Sequence, residues 1–176
     1  RSLTDLAGEV AALSADDDVM SRLSPEVRDD WRSTAPALVS ACAELDDLGP
    51  APTLVHGDFH PWNVVRGADG VRIFDWSDAA VSHPFADLVS YVMRADDVSV
   101  RQRLFDRYLN SWRDHLPAQQ LRRAGELALV VGSLYQVQTY RRIAAAVMPD
   151  GDLMSGDVSW MKRSLDRLRH GLAAGG

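Results

Sequence analysis

The chain has 176 residues, a formal net charge of −6, and 46% hydrophobic and 25% charged residues, which describes one domain able to bury a sizeable core. The acidic balance without a basic run excludes a nucleic-acid footprint, and no stretch reaches the roughly 18 consecutive apolar residues of a membrane span. A single cysteine, Cys42, forms no intramolecular disulfide, so with no secretory-type leader pattern the expected compartment is the cytoplasm.

In chain order, Leu3, Leu6, Ala7, Val10 and Leu13 have helical spacing, and Asp16, Asp17 and Asp18 then read as a solvated loop. Ser24-Pro25-Glu26 is a helix start: a hydroxyl for an orphan N–H, a preset φ, and a carboxylate at the positive end of the dipole. The helix it opens carries Val27, Trp31, Ala35, Leu38, Cys42, Leu45 and Leu48 on one face. Pro36 is expected to kink or divide it, and Gly49-Pro50 with Pro52 ends it. Short strands are predicted at Thr53 to His56, Val64 to Val65 and Val71 to Phe74, the last two joined by Gly67-Ala68-Asp69-Gly70 as a hairpin. Helices are predicted near 84–95, 99–114, 118–147 and 157–173, with breaks at His115-Leu116-Pro117 and Pro149-Asp150-Gly151-Asp152. The fold class is therefore α+β, mostly helical around a small β-hairpin, in one domain over residues 1–176.

Chemically competent residues concentrate in His56-Gly57-Asp58-Phe59-His60-Pro61-Trp62-Asn63, between the apolar runs Leu54-Val55 and Val64-Val65. Flanking strands make a rigid platform for such a loop. A second carboxylate, Asp75, ends the next apolar run. A carboxylate plus a neutral amide oxygen suits an oxygen-coordinated Mg²⁺, and a separate carboxylate can accept a hydroxyl proton, which is the minimum set for phosphoryl transfer to an alcohol.

The order His56-Gly57-Asp58, then Asn63, then Asp75, followed by Trp76 through Leu88, resembles the core of the aminoglycoside phosphotransferase family, relatives of the protein kinases. The resemblance covers residues 54–88. It implies the C-terminal lobe of a kinase-like fold, with Asp58 as general base, Asn63 and Asp75 as Mg²⁺ ligands, and ATP, or GTP, as donor. It further implies that His56 buttresses the loop, that Asp87 hydrogen-bonds the loop backbone, and that Val65 and Phe74 lie beneath adenine. Trp62 could line the cleft, and Gln136 and Tyr140 lie on a helix that can face the acceptor in this family. A solvated outer face is the competing reading for that helix.

Two positions depart from the family pattern. His83 precedes Pro84 where many relatives have aspartate, and Ser77 follows Asp75-Trp76 where an acidic residue is common. Such enzymes also carry an N-terminal lobe with a lysine that contacts the phosphates. Of 19 basic residues only Lys162 is lysine, and no β-rich segment precedes residue 54. These residues therefore read as the C-terminal lobe alone, inactive in isolation, with the N-terminal ATP-binding lobe absent and expected as its partner.

The expected activity is phosphoryl transfer to a hydroxyl of a small molecule such as an aminoglycoside, amino sugar or other small alcohol, and the acidic balance favours an amino-bearing acceptor. Two alternatives belong to other classes. One is a pseudokinase-like binding module; the other is a zinc hydrolase using His56, Asp58 and His60. His83, His115 and His170 are expected at the surface, Trp31, Trp112 and Trp160 in the core, and Cys42 as an inert core residue. The acidic group Asp150, Asp152 and Asp157 reads as a solubilising surface.

Overall fold

In the computed structural model, which describes residues 2–147 and 155–174, one long helix organises the rest. This is α6 (Ala118–Val147). Against it pack α1 (Leu3–Ala15), α3 (Pro25–Leu48), α4 (Leu88–Val92), α5 (Val98–Asn110) and α7 (Ser155–His170). The hydrophobic core is continuous through these helices, from Leu6, Val10 and Leu13 on α1 through Trp31, Leu38 and Leu45 on α3 to Leu129 and Leu134 on α6 and Met161 on α7. Trp31 is fully buried, and its indole N–H donates to Ser14 Oγ at 3.0 Å, so its one polar atom is satisfied. Truncating such a side chain to alanine costs about 3–5 kcal/mol.

The helix boundaries follow local chemistry. Ser2 and Asp5 form a reciprocal capping box at the start of α1. The acidic triplet is not a loop: Asp16 caps α2 (Asp17–Arg22) by accepting from Val19 N–H at 3.2 Å, and Asp17 and Asp18 fill its first turn. Carboxylates belong at that end of a helix dipole. The cap also holds the Asp16 carboxyl below its usual range, because the Val19 N–H favours the charged form. Pro36 does not divide α3. Pro36 and Arg32 both lie on the exposed face, so the Arg32 carbonyl that loses its partner faces water.

The β structure is two separate antiparallel pairs. β2 (Val64–Gly67) and β3 (Gly70–Ile73) make the expected hairpin, in the register Val64 with Ile73 and Val65 with Arg72. β1 (Thr53–Val55) lies outside it and pairs with β4 (Ala80–Ser82), a strand of three residues without an alternating pattern to announce it. The loop of interest thus bridges the two pairs, entering from β1 and leaving into β2. Residues 84–95 are a 3₁₀ turn, Pro84–Asp87, followed by α4. The expected break at 149–152 and the acidic group Asp150, Asp152 and Asp157 lie outside the described residues or side chains. Among the described residues no helix is long and apolar enough to cross a membrane.

Candidate functional site

After β1 the chain turns sharply at Gly57, which has φ +87°. A Cβ there would fall 2.3 Å from the Asp78 carbonyl oxygen, so both backbone conformation and space require glycine. The turn is fastened from below by Asp87, at the end of the 3₁₀ turn. Its Oδ2 accepts from His56 N–H at 2.6 Å and its Oδ1 from Gly57 N–H at 2.8 Å. Burial pushes the Asp87 carboxyl above its ordinary value, and the two N–H bonds pull the other way. Gln136 on α6 adds an Nε2 contact to Gly57 O at 3.3 Å and one to Ser90 Oγ at 3.4 Å.

His56 is buried, and both of its ring nitrogens are engaged. Nδ1 accepts from Asp58 N–H at 3.3 Å, so Nε2 carries the proton it donates to the Phe74 carbonyl at 2.6 Å. One neutral imidazole therefore ties the backbone of Asp58 to the residue immediately before Asp75. The second tie is Phe74 N–H to Asn63 O at 2.9 Å, which continues the hairpin ladder one position beyond Val64 and Ile73. Through these two bonds Asp58, Asn63 and Asp75 are assembled from segments 12 to 17 positions apart.

The chemically competent side chains lie on the open side of this frame. Asp58 is half-buried, and His60 Nε2 lies 3.2 Å from its Oδ2. Asn63 Nδ2 donates to the Asp58 carbonyl at 3.0 Å, which assigns Oδ1 as the atom available to a cation. Asp75 is exposed in the left-handed region, φ 56°, a conformation that aspartate tolerates better than most residues. Ser77 Oγ donates to Asp75 Oδ1 at 2.7 Å, so this departure from the family pattern orients the carboxylate. An amide oxygen and a carboxylate are donor types that suit a hard divalent cation. Val65 and Phe74 are about half exposed, and the β2–β3 register puts both on one face of the hairpin.

The other expected positions divide. Trp62 is 72% exposed beside the loop, and Tyr140 is half-buried against the core. Gln136 is buried beneath the loop, and Tyr135 to Thr139 are all buried, so this stretch is not a solvated face. The zinc triad does not assemble: the lone pair and the proton of His56 are both committed, and among the described residues no group of three metal-binding side chains converges. His83 is not at the surface. It is 5% exposed, accepts from Phe85 N–H through Nδ1 at 3.1 Å, and meets the Phe85 ring edge-on. Burial pushes its pKa down to about 4. Cys42 is buried, with its thiol pushed up to about 12 by desolvation.

His60, expected above only as a zinc ligand, instead contacts Asp58 and packs beside Trp62. One contributor escaped the sequence reading: Tyr91 stacks on Phe59 with ring centroids 5.1 Å apart. Behind that stack lies a hollow of about 390 Å³ lined by Phe59, Leu88, Tyr91, Leu104 and Tyr108. Tyr91 lies one helical turn beyond Asp87, and that spacing was the available signal.

Residues 5–127 match the Phosphotransferase enzyme family, and the chain belongs to that family. Its fold is that of the kinase-like enzymes. A choline/ethanolamine kinase family protein from Mesorhizobium loti superposes with a TM-score of 0.62 at 15% identity, over 97% of this chain and 54% of that one. An ethanolamine kinase from Plasmodium vivax superposes with a TM-score of 0.54 at 8% identity, over 92% of this chain and 48% of that one. The chain thus spans about half the length of these solved structures. A search of curated proteins finds no match.

Proposed function

We propose that this chain is the catalytic-loop lobe of a cytoplasmic kinase that moves the γ-phosphate of ATP, or GTP, to a hydroxyl of a small molecule, within the range that runs from aminoglycosides and amino sugars to simple alcohols. The observation that carries the reading is the His56 imidazole, which joins the backbone of Asp58 to the residue before Asp75. That link holds a proton acceptor and a cation-binding pair in one frame.

In this reading Asp58 takes the proton of the acceptor hydroxyl as that oxygen bonds to the γ-phosphorus and the bond to the β-phosphate oxygen breaks. His60 occupies Oδ2 and so directs Oδ1 toward the hydroxyl. Asn63 Oδ1 and the Asp75 carboxylate would hold Mg²⁺, which would supply charge to offset that on the phosphate oxygens. Val65 and Phe74 support the adenine. The exposed apolar side chains Leu54, Val65, Phe74, Trp76 and Val81 form the surface on which a separate N-terminal lobe closes, since a patch of that kind marks an interaction face.

The test is transfer of label from γ-labelled ATP with Mg²⁺ to a panel of amino sugars, aminoglycosides and small alcohols by the full-length protein. Label recovered on an acceptor hydroxyl supports the proposal. Release of inorganic phosphate alone, or no turnover with any acceptor, overturns it.

A further inference from the structure

The segment that fastens the catalytic loop also brings a cation to its rim. Asp87 closes the 3₁₀ turn, Tyr91 lies on α4 and Arg94 in the turn that follows it. They meet the loop in the same order. Asp87 holds the His56 and Gly57 N–H groups, Tyr91 stacks on Phe59, and the Arg94 guanidinium lies 5.3 Å from the centroid of the Trp62 ring. Trp62 in turn meets His60 edge-on at 5.5 Å, and His60 contacts Asp58. Two side chains therefore separate Arg94 from the carboxylate assigned as base.

Arg94 is exposed, and among the described residues its guanidinium has neither a hydrogen bond nor a carboxylate partner. Its side-chain contact is with the Trp62 ring. Stacking on an indole occupies the face of a guanidinium and leaves its in-plane N–H donors free. That is the preorganised fork that binds a carboxylate or phosphate bidentately.

We propose that Arg94, presented on Trp62, is a specificity-determining residue that binds an anionic group, a carboxylate or phosphate, on the hydroxyl acceptor. This rests on the phosphotransfer reading and narrows its acceptor class. The acceptor class is then set by this one guanidinium and not by the global acidity of the chain, which favours an amino-bearing acceptor.

Three matched three-carbon probes test it: glycerate, glycerol and serinol, which carry a carboxylate, no charge and an amine. In the full-length protein at millimolar probe concentrations, the Trp62 indole N–H resonance is expected to shift with glycerate and not with serinol. Arg94→Gln is expected to weaken glycerate binding about tenfold, and to raise KM for an anionic acceptor by a similar factor with kcat little changed. Arg94→Lys is expected to recover part of the loss. Inorganic phosphate, titrated in the same way, reports whether the fork also takes that anion. Serinol binding as well as glycerate, an Arg94→Gln variant that binds glycerate normally, or no Trp62 shift with any probe would each overturn the proposal. Asp58→Asn separates the two readings. Loss of turnover with glycerate binding intact supports both, whereas full turnover with binding still dependent on Arg94 overturns the phosphotransfer reading alone.

Discussion

The two sides of the catalytic loop differ in how they are held. On the inner side three side chains hold the backbone through hydrogen bonds: the Asp87 carboxylate to two N–H groups, the His56 ring to one N–H and one carbonyl, and the Gln136 amide to the Gly57 carbonyl. On the outer side Asp58, Asn63 and Asp75 are half-buried or exposed, with a carboxylate or amide oxygen still available. The backbone is fixed from the buried face, so the side chains of the proposed site need no packing of their own.

Changes on the inner side should therefore cost stability and turnover together, and the largest effect is expected at Gly57. Gly57→Ala places a methyl against the Asp78 carbonyl at a φ that alanine resists, so a loss of about 3 kcal/mol in denaturant unfolding is expected. Full stability in that variant would break the contrast. Asp87→Asn replaces one of two acceptors by a donor facing an N–H, with an expected cost of about 2 kcal/mol and slower turnover. Gln136→Leu removes only two long hydrogen bonds, so a loss near 1 kcal/mol with turnover within a few-fold would sharpen the ranking of the three supports.

His83 adds a pH dependence remote from the chemistry. Its folded pKa near 4 lies below the ordinary 6.5, so between these values the unfolded chain binds the extra proton. Stability should fall as pH drops from about 6.5 to 4, by at most about 3 kcal/mol, and level off below. Asp87, whose raised pKa works in the opposite direction near the bottom of that range, is common to the wild type and a His83→Gln variant. The difference between their unfolding curves isolates His83. Parallel curves would show that His83 does not carry this dependence.

What was legible in the sequence follows the same division. The helices were readable because burial imposes a period: Leu6, Val10 and Leu13, or Leu38, Cys42 and Leu45, sit where 3.6 residues per turn put them. The order and spacing of His56, Asp58, Asn63, Asp75 and Asp87 were visible through their resemblance to the phosphotransferase pattern. Three features left little trace. β4 is three residues long and is specified by its partner β1. The Asp16 cap looked like any acidic run until a helix was seen to follow it. His83 reads as a polar residue beside a proline, and only the fold around Phe85 buries it.

The central claim is that Asp58 is the group that receives the acceptor proton, and substitution by asparagine addresses it with almost no change in shape. In the full-length protein Asp58→Asn should lower turnover by a factor of about 10²–10⁴, with melting temperature and nucleotide affinity unchanged, because the loop is held through its backbone and not through this side chain. Turnover close to that of the wild type in a folded, nucleotide-binding variant would contradict the account.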